Sequence, residues 1–586
     1  MARTYAQGPE PVAVDASHTV TTRLWERAAN PGGAHVLRYA TPDGWAGLDW
    51  SGLGERVRAV AAGLIAAGVQ PGDRVALMSA TRMEWTIADL AILSAGAVTV
   101  PIYETSSSEQ CAWILSDSGA RLAIAEASDQ ARKLEAGLDE LFVIEDGGLD
   151  TLAGRGLEAH RAEVLARASV PRHGDLATIV YTSGTTGRPK GCMLTHGNLV
   201  WNARQAEHQL RRLLGEGDAT LLFLPLAHIF ARHIQFTCLE SDVTIGYARS
   251  LSTLADDIAS FRPTFLFSIP RVLEKVFNAA QHKAQGPKAK VFDLAVRVST
   301  QWSGAQRHGL VTKVEHAIAD RLVYAKVREA LGGRLRYCVS GGAALAPHLA
   351  SFFYAAGITI LEGYGLTETT SPSTVNTPDK LRLGTVGTPM PGVEVKIGGD
   401  GEVLIRGGNV FAGYFRDDAA TRRALDADGW FHTGDIGELD DAGFLRITGR
   451  LKELIVTASG KNVAPAMLEE PLKEHRLVSQ AMVVGDNRPY VGCLITLDPD
   501  ELALFAASRG LVASPHVSES DAVRSEVAKA VDRVNATVST PESIRRWKVL
   551  PRDFSQEDNE ITPSLKLRRD VVSAHFADEI EALYER

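Results

Sequence analysis

A short loop rich in glycine and hydroxyl side chains is the part of this 586-residue chain best suited to chemistry. It follows the apolar run Ala177-Thr-Ile-Val-Tyr181 and reads Thr182-Ser-Gly-Thr-Thr-Gly-Arg-Pro-Lys190. Closely spaced backbone N–H groups and hydroxyls are what a polyphosphate needs from a protein. The loop is not the common P-loop of nucleotide hydrolases, because Lys190 is followed by Gly191 rather than by Ser or Thr. The pattern therefore predicts a strand that leads into a phosphate-binding loop.

From Tyr181 to Gly191 the sequence resembles the signature of the acyl-adenylate-forming superfamily, Tyr-Thr-Ser-Gly-Thr-Thr-Gly-x-Pro-Lys-Gly, at every specified position. Four further segments occur in the order expected for that superfamily, and together they cover most of the chain. The whole sequence is similar to an AMP-forming acyl-CoA synthetase, nearest to the long-chain fatty-acid–CoA ligases. The resemblance implies that a carboxylate attacks the α-phosphate of ATP, giving acyl-AMP and pyrophosphate, and that the thiol of coenzyme A then displaces AMP. ATP, Mg2+ and coenzyme A are therefore expected.

The loop itself is implied to hold the phosphates of ATP. A Gly/Ser/Thr run is usually a flexible linker, but a linker has no reason to follow an apolar strand. The residues implied to bind the nucleotide here are Thr182, Ser183, Gly184, Thr185, Gly187 and Lys190, and Thr186 is implied in catalysis and as a ligand of Mg2+.

A second segment, Leu361-Glu-Gly-Tyr-Gly-Leu-Thr-Glu368, follows the apolar strand Ile358 to Leu361 and is broken by glycines. Taken alone, it also fits a strand-to-turn corner with a solvent-facing acid. Oxygen ligands suit Mg2+, which neutralises charge as pyrophosphate leaves. The resemblance supplies the adenine-stacking Tyr364, the α-phosphate ligand Thr367, the catalytic Mg2+ ligand Glu368, and the nucleotide-binding Glu362 and Gly363.

Two more segments are implied to surround the nucleoside. Ser340-Gly-Gly-Ala-Ala-Leu345 follows a strand, and its paired glycines let the backbone approach a flat ring. The same run is also a common turn between a strand and a helix. Trp430-Phe-His-Thr-Gly-Asp435 ends in a carboxylate, which accepts two O–H donors well. By resemblance, the adenine and acyl pocket is lined by Gly341, Gly342 and Ala343, and the ribose is held by Asp435 and Arg450.

The segment Leu224-Pro-Leu-Ala-His228 places a histidine in an apolar run. A lone buried histidine is more often a satisfied core residue. In fatty-acyl relatives, however, the same run opens onto the carboxylate end of the acyl tunnel, which makes His228 a catalytic candidate. Amino-acid-activating relatives usually place an Asp next to pair with the substrate's amine, but here the next residue is Ile229. Because an unpaired ammonium in a pocket is costly, an apolar acid is favoured.

Two lysines near the C-terminus complete the implied site. Glu560-Ile-Thr-Pro-Ser-Leu-Lys-Leu-Arg-Arg569 resembles the C-terminal motif of the long-chain branch, with Ile561 and Ser564 as departures. Lys566 would bridge the acyl carboxylate and the phosphate, although most lysines in such tails are simply exposed. The resemblance makes Lys452 the hinge between two domains and places Gly460 along the pantetheine channel.

Apolar strands alternate with helices through the first 380 residues, which predicts parallel sheets covered by helices. Beyond Gly384, short alternating strands separated by glycine-rich turns indicate a distorted β-barrel or antiparallel unit. We therefore expect an α/β protein with a large domain of two helix-covered sheets plus the distorted barrel, residues 1–450. A small mobile α+β domain, residues 451–586, would follow. Its last segment, Asp570 to Arg586, has the apolar spacing of one helix.

The composition of the chain limits the classes of partner and the cellular compartment that can be expected. The formal net charge of -9 argues against broad nucleic-acid binding. The five cysteines have no metal-ligand spacing, and their odd number suits reduced thiols in a cytoplasm. Neither a signal peptide nor a bilayer-spanning run is predicted. The basic clusters Arg204 to Arg212 and Lys283 to Lys290 are interpreted as solvated surface, with a lipid-headgroup patch, and thus peripheral contact with the inner membrane face, as the alternative.

We predict an ATP-dependent ligase that activates medium- to long-chain fatty acids as acyl-CoA. Two alternatives stay open at this point. One is a fatty-acyl-AMP ligase that loads the thiol of a separate carrier protein. The other is a non-catalytic acyl-nucleotide sensor, which is disfavoured because Lys190, Glu368, Asp435 and Lys566 are all present. Chain-length preference and oligomeric state are not encoded in any recognisable pattern.

Overall fold

The computed structural model describes residues 3–30, 35–135, 137–156, 158–182, 188–284, 287–304, 308–458, 461–511, 517–562 and 566–585. Six of the predicted site residues lie outside these ranges, namely Ser183, Gly184, Thr185, Thr186, Gly187 and Gly460.

Residues up to 450 form the strands β1 (Tyr5–Gln7), β2 (Leu37–Thr41), β3 (Gly44–Leu48), β4 (Arg74–Met78), β5 (Val98–Ile102), β6 (Leu122–Ala125), β7 (Glu140–Val143), β8 (Leu176–Thr182), β9 (Lys190–Thr195), β10 (Ala219–Leu222), β11 (Thr244–Tyr247), β12 (Phe265–Ser268), β13 (Tyr337–Ser340), β14 (Thr359–Leu366), β15 (Ser371–Val375), β16 (Thr388–Pro389), β17 (Glu394–Ile397), β18 (Glu402–Arg406), β19 (Gly413–Tyr414), β20 (Phe431–Leu439) and β21 (Leu445–Arg450).

The helices of the same region are α1 (Thr22–Ala29), α2 (Trp50–Ala66), α3 (Met83–Ser94), α4 (Ser108–Ser118), α5 (Ser128–Leu134), α6 (Gly148–Arg155), α7 (Glu158–Ala168), α8 (His196–Gln209), α9 (Ile229–Glu240), α10 (Leu254–Phe261), α11 (Pro270–His282), α12 (Pro287–Ser303), α13 (Leu310–Ala319), α14 (Ala325–Ala330), α15 (Pro347–Ala355) and α16 (Asp418–Ala424). A π-helical turn at Asp320–Tyr324 joins α13 to α14, and a 3-10 turn occupies Thr367–Thr369.

The first large sheet has seven strands in the order β19-β9-β8-β5-β4-β6-β7. The strands from β8 to β7 are parallel, as expected where helices connect them, whereas β9 and β19 are antiparallel additions at one edge. Two of the helices between the strands begin at side-chain caps. Asp49 accepts a hydrogen bond from the Gly52 N–H at the start of α2, and Ser107 and Gln110 form a capping box on α4.

The second large sheet is assembled from two sets of strands. The order β12-β13-β14-β15-β16 forms one set and β10-β11-β2-β3 the other. They meet where the Thr264 N–H donates to the Ala219 carbonyl at 2.9 Å and the Ala219 N–H donates to the Thr264 hydroxyl at 3.0 Å. The fold thus contains the two helix-covered sheets that the alternation of strands and helices predicts.

A buried ion pair ties helix α9 to the first sheet. Arg232 on α9 and Asp89 on α3 are both fully buried, and the guanidinium donates to the two carboxylate oxygens at 2.5 and 2.9 Å. The Thr99 hydroxyl on β5 also donates to Asp89, at 2.8 Å. Because a buried charge is stable only when paired and hydrogen-bonded, this network holds α9, and the residues just before it, in one position.

The strands beyond residue 390 form an antiparallel five-stranded sheet in the order β1-β17-β18-β20-β21, to which the N-terminal strand adds an edge. This confirms the antiparallel unit predicted from alternating strands. Its strands β20 and β21 carry Asp435 and Arg450, which face each other across the ladder.

After residue 450 the chain builds a separate α+β unit with its own apolar clusters, both drawn from residues 455–584. Its strands β24, β25 and β26 form one sheet and β22 and β23 a short ladder. A 3-10 turn at Leu451–Glu453 leads into it, and another lies at Val517–Glu519. Its elements are β22 (Ile455–Val456), β23 (Asn462–Val463), α17 (Ala466–Lys473), β24 (Val478–Val484), β25 (Val491–Leu497), α18 (Pro499–Ser508), α19 (Asp521–Asn535), β26 (Ile544–Val549), α20 (Arg569–His575) and α21 (Ala577–Ala582).

Two local predictions need correction. The C-terminal segment is not one helix, because it breaks between α20 and α21 at Phe576, whose backbone leaves the helical region at φ −114° and ψ 32°. The Phe576 side chain is buried there, so packing outweighs helix continuity. The strand predicted to stop at Leu361 continues to Leu366 with a β-bulge at Tyr364 and Gly365. None of the helices in the described ranges is long and apolar enough to span a membrane.

Candidate active site

The phosphate loop connects two neighbouring antiparallel strands. Thr182 ends β8, Lys190 begins β9, and the two residues pair across the ladder. The base of the loop is anchored on one side by Tyr181, whose hydroxyl donates to Asp117 at 2.6 Å. On the other side, the Trp113 ring N–H donates to the Pro189 carbonyl at 2.9 Å. The loop residues 183–187 lie outside the described part of the chain, but both of its ends are fixed.

Lys190 and Glu368, which the sequence places 178 residues apart, meet at Tyr414. The Lys190 ammonium lies 5.2 Å from the centroid of the Tyr414 ring, and the Tyr414 hydroxyl donates to Glu368 at 2.9 Å. Burial and the negative charge of Glu368 both raise the pKa of Tyr414, so its hydroxyl remains a hydrogen-bond donor. Sequence analysis missed Tyr414. The signal for it is spatial, because β19 places it beside Cys192 on β9.

The turn that carries Glu368 is held in an unusual backbone conformation. The two residues after the 3-10 turn, Thr370 and Ser371, have φ of 55° and 76°, a region that ordinary side chains disfavour. Asn409 and Asn202 support this conformation: the Thr370 hydroxyl donates to the Asn409 carbonyl at 2.7 Å, and the Asn202 amide donates to the Thr370 carbonyl at 2.7 Å. The Glu368 carbonyl also accepts from Phe411 at 2.8 Å. These contacts therefore hold the turn that carries the Glu368 carboxylate in one conformation.

Asp435 forms a second cluster with Tyr364 and Arg450. The Tyr364 hydroxyl donates to one Asp435 oxygen at 2.6 Å, and the Arg450 guanidinium lies 3.1 Å from the other. Asp435 is buried, at 4% exposure, whereas Arg450 reaches the solvent. Burial and the adjacent Asp435 carboxylate raise the pKa of Tyr364 well above its ordinary value. A fixed, partly shielded carboxylate beside an aromatic ring is a suitable receptor for the hydroxyls of a nucleoside.

The glycine pair at the end of β13 lies where β14 and α9 converge. A methyl group at Gly341 would lie 3.5 Å from both the Gly363 carbonyl and the ring of Phe230. Gly342 has φ of 84°, which favours glycine, and Ala343 follows it in the same turn. Glu362, on β14, is buried, and burial raises the pKa of its carboxyl to about 7. The predicted pocket residues of β13 and β14 are therefore neighbours.

His228 is the cap of helix α9. We call the region bordered by His228, Glu368 and Asp435, all of which interact electrostatically with Lys566, the cleft. The Nδ1 of His228 accepts the Phe230 N–H at 3.1 Å, so in the neutral ring the proton must reside on Nε2. Burial, together with the smaller effect of the positive charge of Lys566, lowers the pKa of His228 to about 4. At neutral pH the side chain is thus an uncharged Nε2–H donor. The structure shows that the residue is a buried helix cap, and its catalytic role stays a prediction.

Burial also predicts how the stability of the large domain depends on pH. The pKa values of His196, His228 and His233 are lowered to about 4, 4 and 3. The unfolded chain takes up protons at these groups below its ordinary pKa of about 6.5, whereas the native state does not. Stability is therefore full above pH 6.5 and is lost as the pH falls towards 4.

His233→Gln should make the stability of the large domain fall less steeply as the pH decreases. Each buried histidine contributes a slope of up to about 1.4 kcal/mol per pH unit. We expect the free energy of urea unfolding, followed by tryptophan fluorescence from pH 7 to 5, to fall less steeply in the variant by up to that amount. His208→Gln, at an exposed position, is the control. An unchanged slope in His233→Gln would contradict the assignment.

The small domain inserts Lys566 into the cleft of the large domain. The residue lies at a turn in which its N–H donates to the Thr562 hydroxyl at 3.0 Å and its carbonyl accepts the Thr562 N–H at 2.8 Å. Water still reaches the side chain, although protein atoms crowd around it. This crowding and the charge of Arg450 lower the pKa of Lys566, against the opposite effect of Asp435 and Glu368. The lysine therefore shares one electrostatic environment with His228, Asp435 and Glu368.

Comparison with known proteins decides the family. Residues 24–415 match the model of the AMP-binding enzymes, and residues 452–586 match that of the AMP-binding enzyme C-terminal domain. The chain belongs to the AMP-binding enzyme family. Among curated members it is 44% identical to the long-chain-fatty-acid–CoA ligase FadD15 of Mycobacterium bovis, with 99% of each chain covered.

Solved structures of AMP-binding enzymes share the fold. The adenylation domain of a carboxylate reductase from Mycobacterium chelonae superposes with a TM-score of 0.75 at 23% identity, covering 97% of this chain and 92% of that one. The O-succinylbenzoate coenzyme A synthetase of Bacillus subtilis, in complex with ATP and magnesium ion, gives 0.69 at 22% identity, covering 94% of this chain and 98% of that one. These matches confirm the predicted fold: a large domain of several sheets with a half-barrel, followed by an α+β domain.

In this AMP-binding enzyme the two domains are also joined by side-chain contacts along α11, which begins at Pro270. Arg271, in its first turn, lies 2.7 Å from Asp498 of the small domain, and His282, in its last turn, lies 2.5 Å from Glu501. Helix α11 therefore contacts α18 and its cap.

The oxygen ligands available at this site suit a Mg2+ ion that is bound together with a nucleotide. Within the described ranges no three His, Cys, Asp or Glu side chains come together as a metal cage. Glu368 is a single, well-oriented carboxylate next to the phosphate loop, which carries Thr186. Mg2+ commonly takes one or two protein oxygens and completes its octahedron with phosphate oxygens and water. This site suits a magnesium–nucleotide complex better than a resident metal ion.

Among the predicted residues, the structure brings Thr182, Lys190, His228, Gly341, Gly342, Ala343, Glu362, Gly363, Tyr364, Thr367, Glu368, Asp435, Arg450 and Lys566 to one cleft region or its immediate border. Lys452 lies in the connecting 3-10 turn, exposed to solvent and just after the last strand of the half-barrel. The roles of all these residues remain predictions.

Proposed function

We propose that this AMP-binding enzyme is an ATP-dependent long-chain fatty-acid–CoA ligase that works through an acyl-AMP. The observation that carries the proposal is the entry of Lys566 into the cleft that holds His228, Glu368 and Asp435. One cation from the small domain thus stands between the proposed carboxylate end and the proposed nucleotide end. The similarity to FadD15 over nearly the full length supports the substrate class.

At the nucleotide end, Tyr364 and Asp435 would bind adenosine. Asp435 is already oriented by Arg450, so it can accept two ribose hydroxyls without rearranging. Glu368, held by Tyr414, and Thr186 would hold Mg2+, which when bound neutralises the phosphate charge. Lys190 and the glycine-rich loop would bind the terminal phosphates.

At the acyl end, the uncharged Nε2–H of His228 would donate to one oxygen of the fatty-acid carboxylate and leave the other free to attack. A neutral donor orients the carboxylate without forming an ion pair that would weaken it as a nucleophile. Lys566 would then stabilise the negative charge that develops between the attacking oxygen and the α-phosphate. Catalysis in this scheme rests on orientation and electrostatics rather than on a side-chain nucleophile.

Thioester formation would require a second arrangement of the domains. The arrangement described here would serve adenylation, because the α11 contacts hold the small domain with Lys566 beside the cleft. We propose that the boundary lies at residue 450 and that the small domain, residues 451–586, rotates about Lys452 to withdraw Lys566 and admit coenzyme A. Gly460, outside the described residues, would line the pantetheine channel. Such motions often limit turnover.

Lys452→Pro should trap one domain arrangement. Proline fixes φ near −65°, which suits the present 3-10 turn but restricts the change that a rotation needs. We expect pyrophosphate release and acyl-AMP formation to continue while acyl-CoA formation falls by roughly a hundredfold. The two products can be quantified separately by chromatography. Leu451→Ala, in the same turn, is the control, and normal overall turnover of Lys452→Pro would rule out the hinge.

The function itself is tested by stoichiometry. Purified protein with ATP, Mg2+, coenzyme A and saturated acids of graded length should yield acyl-CoA, AMP and pyrophosphate in equal amounts, with highest activity on medium- to long-chain acids. Bound acyl-AMP without any thioester would favour transfer to a carrier-protein thiol. An absence of acid-dependent pyrophosphate release at every length would leave only a nucleotide-binding role. We also propose a cytoplasmic location, supported by five unpaired, buried cysteines.

A further inference from the structure

Helix α13 and the π-helical turn that continues it carry an exposed aliphatic face. Leu310 and Val311 are 80% and 71% exposed, and Val314, Ile318 and Leu322 are 53%, 45% and 44% exposed. Positions 311, 314, 318 and 322 are three or four residues apart, so they lie on one side of the helix. We call these five residues the α13 face. No comparable group of exposed aliphatic side chains occurs on another described helix.

The exposure is not the result of a loosely attached helix. The opposite side of the same segment is buried through Ala319, Val323 and Tyr324, and the Tyr324 hydroxyl donates to the Ala295 carbonyl of α12 at 2.7 Å. The helix would therefore remain folded if the α13 face were polar. Leu310, Val311 and Val314 are mostly exposed and contribute little to holding the fold together, which leaves this side of the helix available to a partner.

The surroundings of the α13 face are basic, in contrast with the rest of the chain. Residues 281–330 contain nine lysines and arginines but four aspartates and glutamates, whereas the whole chain has a net charge of -9. Lys326 and Glu329 are both exposed on the following α14, and Lys313 and Arg321 are exposed on the helical segment itself. Its two acids are engaged elsewhere, since Glu315 pairs with Arg297 at 3.1 Å and Asp320 with Arg328 at 2.7 Å. These acids do not offset the cations that border the face.

We propose that the α13 face is a docking surface for the headgroup region of an anionic lipid bilayer. An aliphatic stripe bordered by lysine and arginine is the composition of a helix that lies in a membrane interface. Two copies that met through this face would bring their bordering lysines and arginines together, which is unfavourable. Charge therefore argues against a second copy of the chain as the occupant and for acidic headgroups.

The α13 face lies on a side of the molecule where membrane contact would serve the proposed function, but the proposal of a docking surface does not depend on that function. Helix α13 packs on α12, and α12 packs on α15, which begins just after the Gly341–Gly342 turn. Only two layers of helix thus separate the α13 face from the predicted acyl pocket. Long-chain acids partition into bilayers, so docking on this side would bring the pocket close to the membrane that holds them.

Vesicle sedimentation without ATP or coenzyme A tests the proposal independently of catalysis. The full chain should bind vesicles of phosphatidylcholine and phosphatidylglycerol in a 3:1 ratio, and should bind pure phosphatidylcholine roughly tenfold more weakly. Leu310→Gln/Val314→Gln should weaken binding to the anionic vesicles by roughly tenfold or more. The matched control is Leu251→Gln/Val170→Gln, which changes one leucine and one valine that are 71% and 67% exposed elsewhere.

A second pair of variants separates charge from apolar insertion. Lys313→Gln/Arg321→Gln should remove most of the preference for anionic vesicles, whereas Lys548→Gln/Arg545→Gln, exposed cations of the small domain, should keep it. Failure of the unmodified protein to bind anionic vesicles, or equal binding by the α13 variant and its control, would overturn the proposal. It would also be wrong if sedimentation velocity showed that Leu310→Gln/Val314→Gln converts a dimer to a monomer while vesicle binding is unchanged.

Discussion

Lys566→Ala should reduce the rate of acyl-AMP formation by about 100- to 1,000-fold, the usual effect of removing one group aimed at developing charge. In the described arrangement the lysine shares its electrostatic environment with His228 on one side and with Asp435 and Glu368 on the other. The measurement is pyrophosphate release at saturating ATP and fatty acid, which reports adenylation alone.

The control for this variant is the second half-reaction. Formation of acyl-CoA from supplied acyl-AMP should be largely preserved, because Lys566 would be withdrawn at that stage. Lys548→Ala removes an exposed lysine of the same domain and should leave both rates unchanged. Equal loss in both half-reactions would show that Lys566 has a structural role, and the assignment would fall.

Asp435→Ala should raise the KM for ATP by about 100-fold, because it removes a charged acceptor from two ribose hydroxyls, each such bond being worth about 1.5–3 kcal/mol. The KM for the fatty acid should change little, since Asp435 lies at the nucleotide end of the cleft. Tyr364 and Arg450 would lose their shared partner, so some loss of order at the adenine site is part of the expected effect.

Two comparisons isolate the ribose contact from this loss of order. Tyr364→Phe removes the hydrogen bond to Asp435 but keeps the ring and the carboxylate, so its KM for ATP should rise much less. Asp441→Ala, an exposed turn residue close by, should be neutral. If 2′-deoxy-ATP and ATP lose affinity to the same extent in Asp435→Ala, the carboxylate does not bind that hydroxyl.

Periodicity and turn chemistry predict much of the fold. The strand predicted at Ala177–Tyr181 is observed as part of β8, because it is a short apolar run that ends at a glycine-rich loop. The errors occur where tertiary packing overrides local pattern. The glycines after Leu361 suggested a turn, yet a bulge lets β14 continue, since a side chain at Gly365 would collide with the Ser371 carbonyl at 1.9 Å. Phe576 likewise breaks a regular apolar spacing in order to be buried.

The candidate site likewise contains residues that the sequence predicts and residues that it does not. Residues that lie inside signature segments, such as Glu368 and Asp435, are found by resemblance alone. Those that hold the segments in place are not, because they come from distant parts of the chain. Tyr414 contacts Glu368 only because β19 joins the edge of the first sheet. The positive φ of Thr370 likewise depends on contacts with Asn202 and Asn409, which no local pattern reveals.

The contacts of α11 with the small domain give the experimenter a simple way to change the reaction. The Arg271–Asp498 ion pair is partly exposed, so dissolved ions screen it, over a length that shrinks from about 10 Å in 0.1 M salt to about 3 Å in 1 M. Adenylation should therefore lose speed in concentrated sodium chloride sooner than thiol transfer does. A salt titration of the unmutated protein would then slow adenylation at concentrations that leave thiol transfer unaffected, so that the two half-reactions could be studied separately.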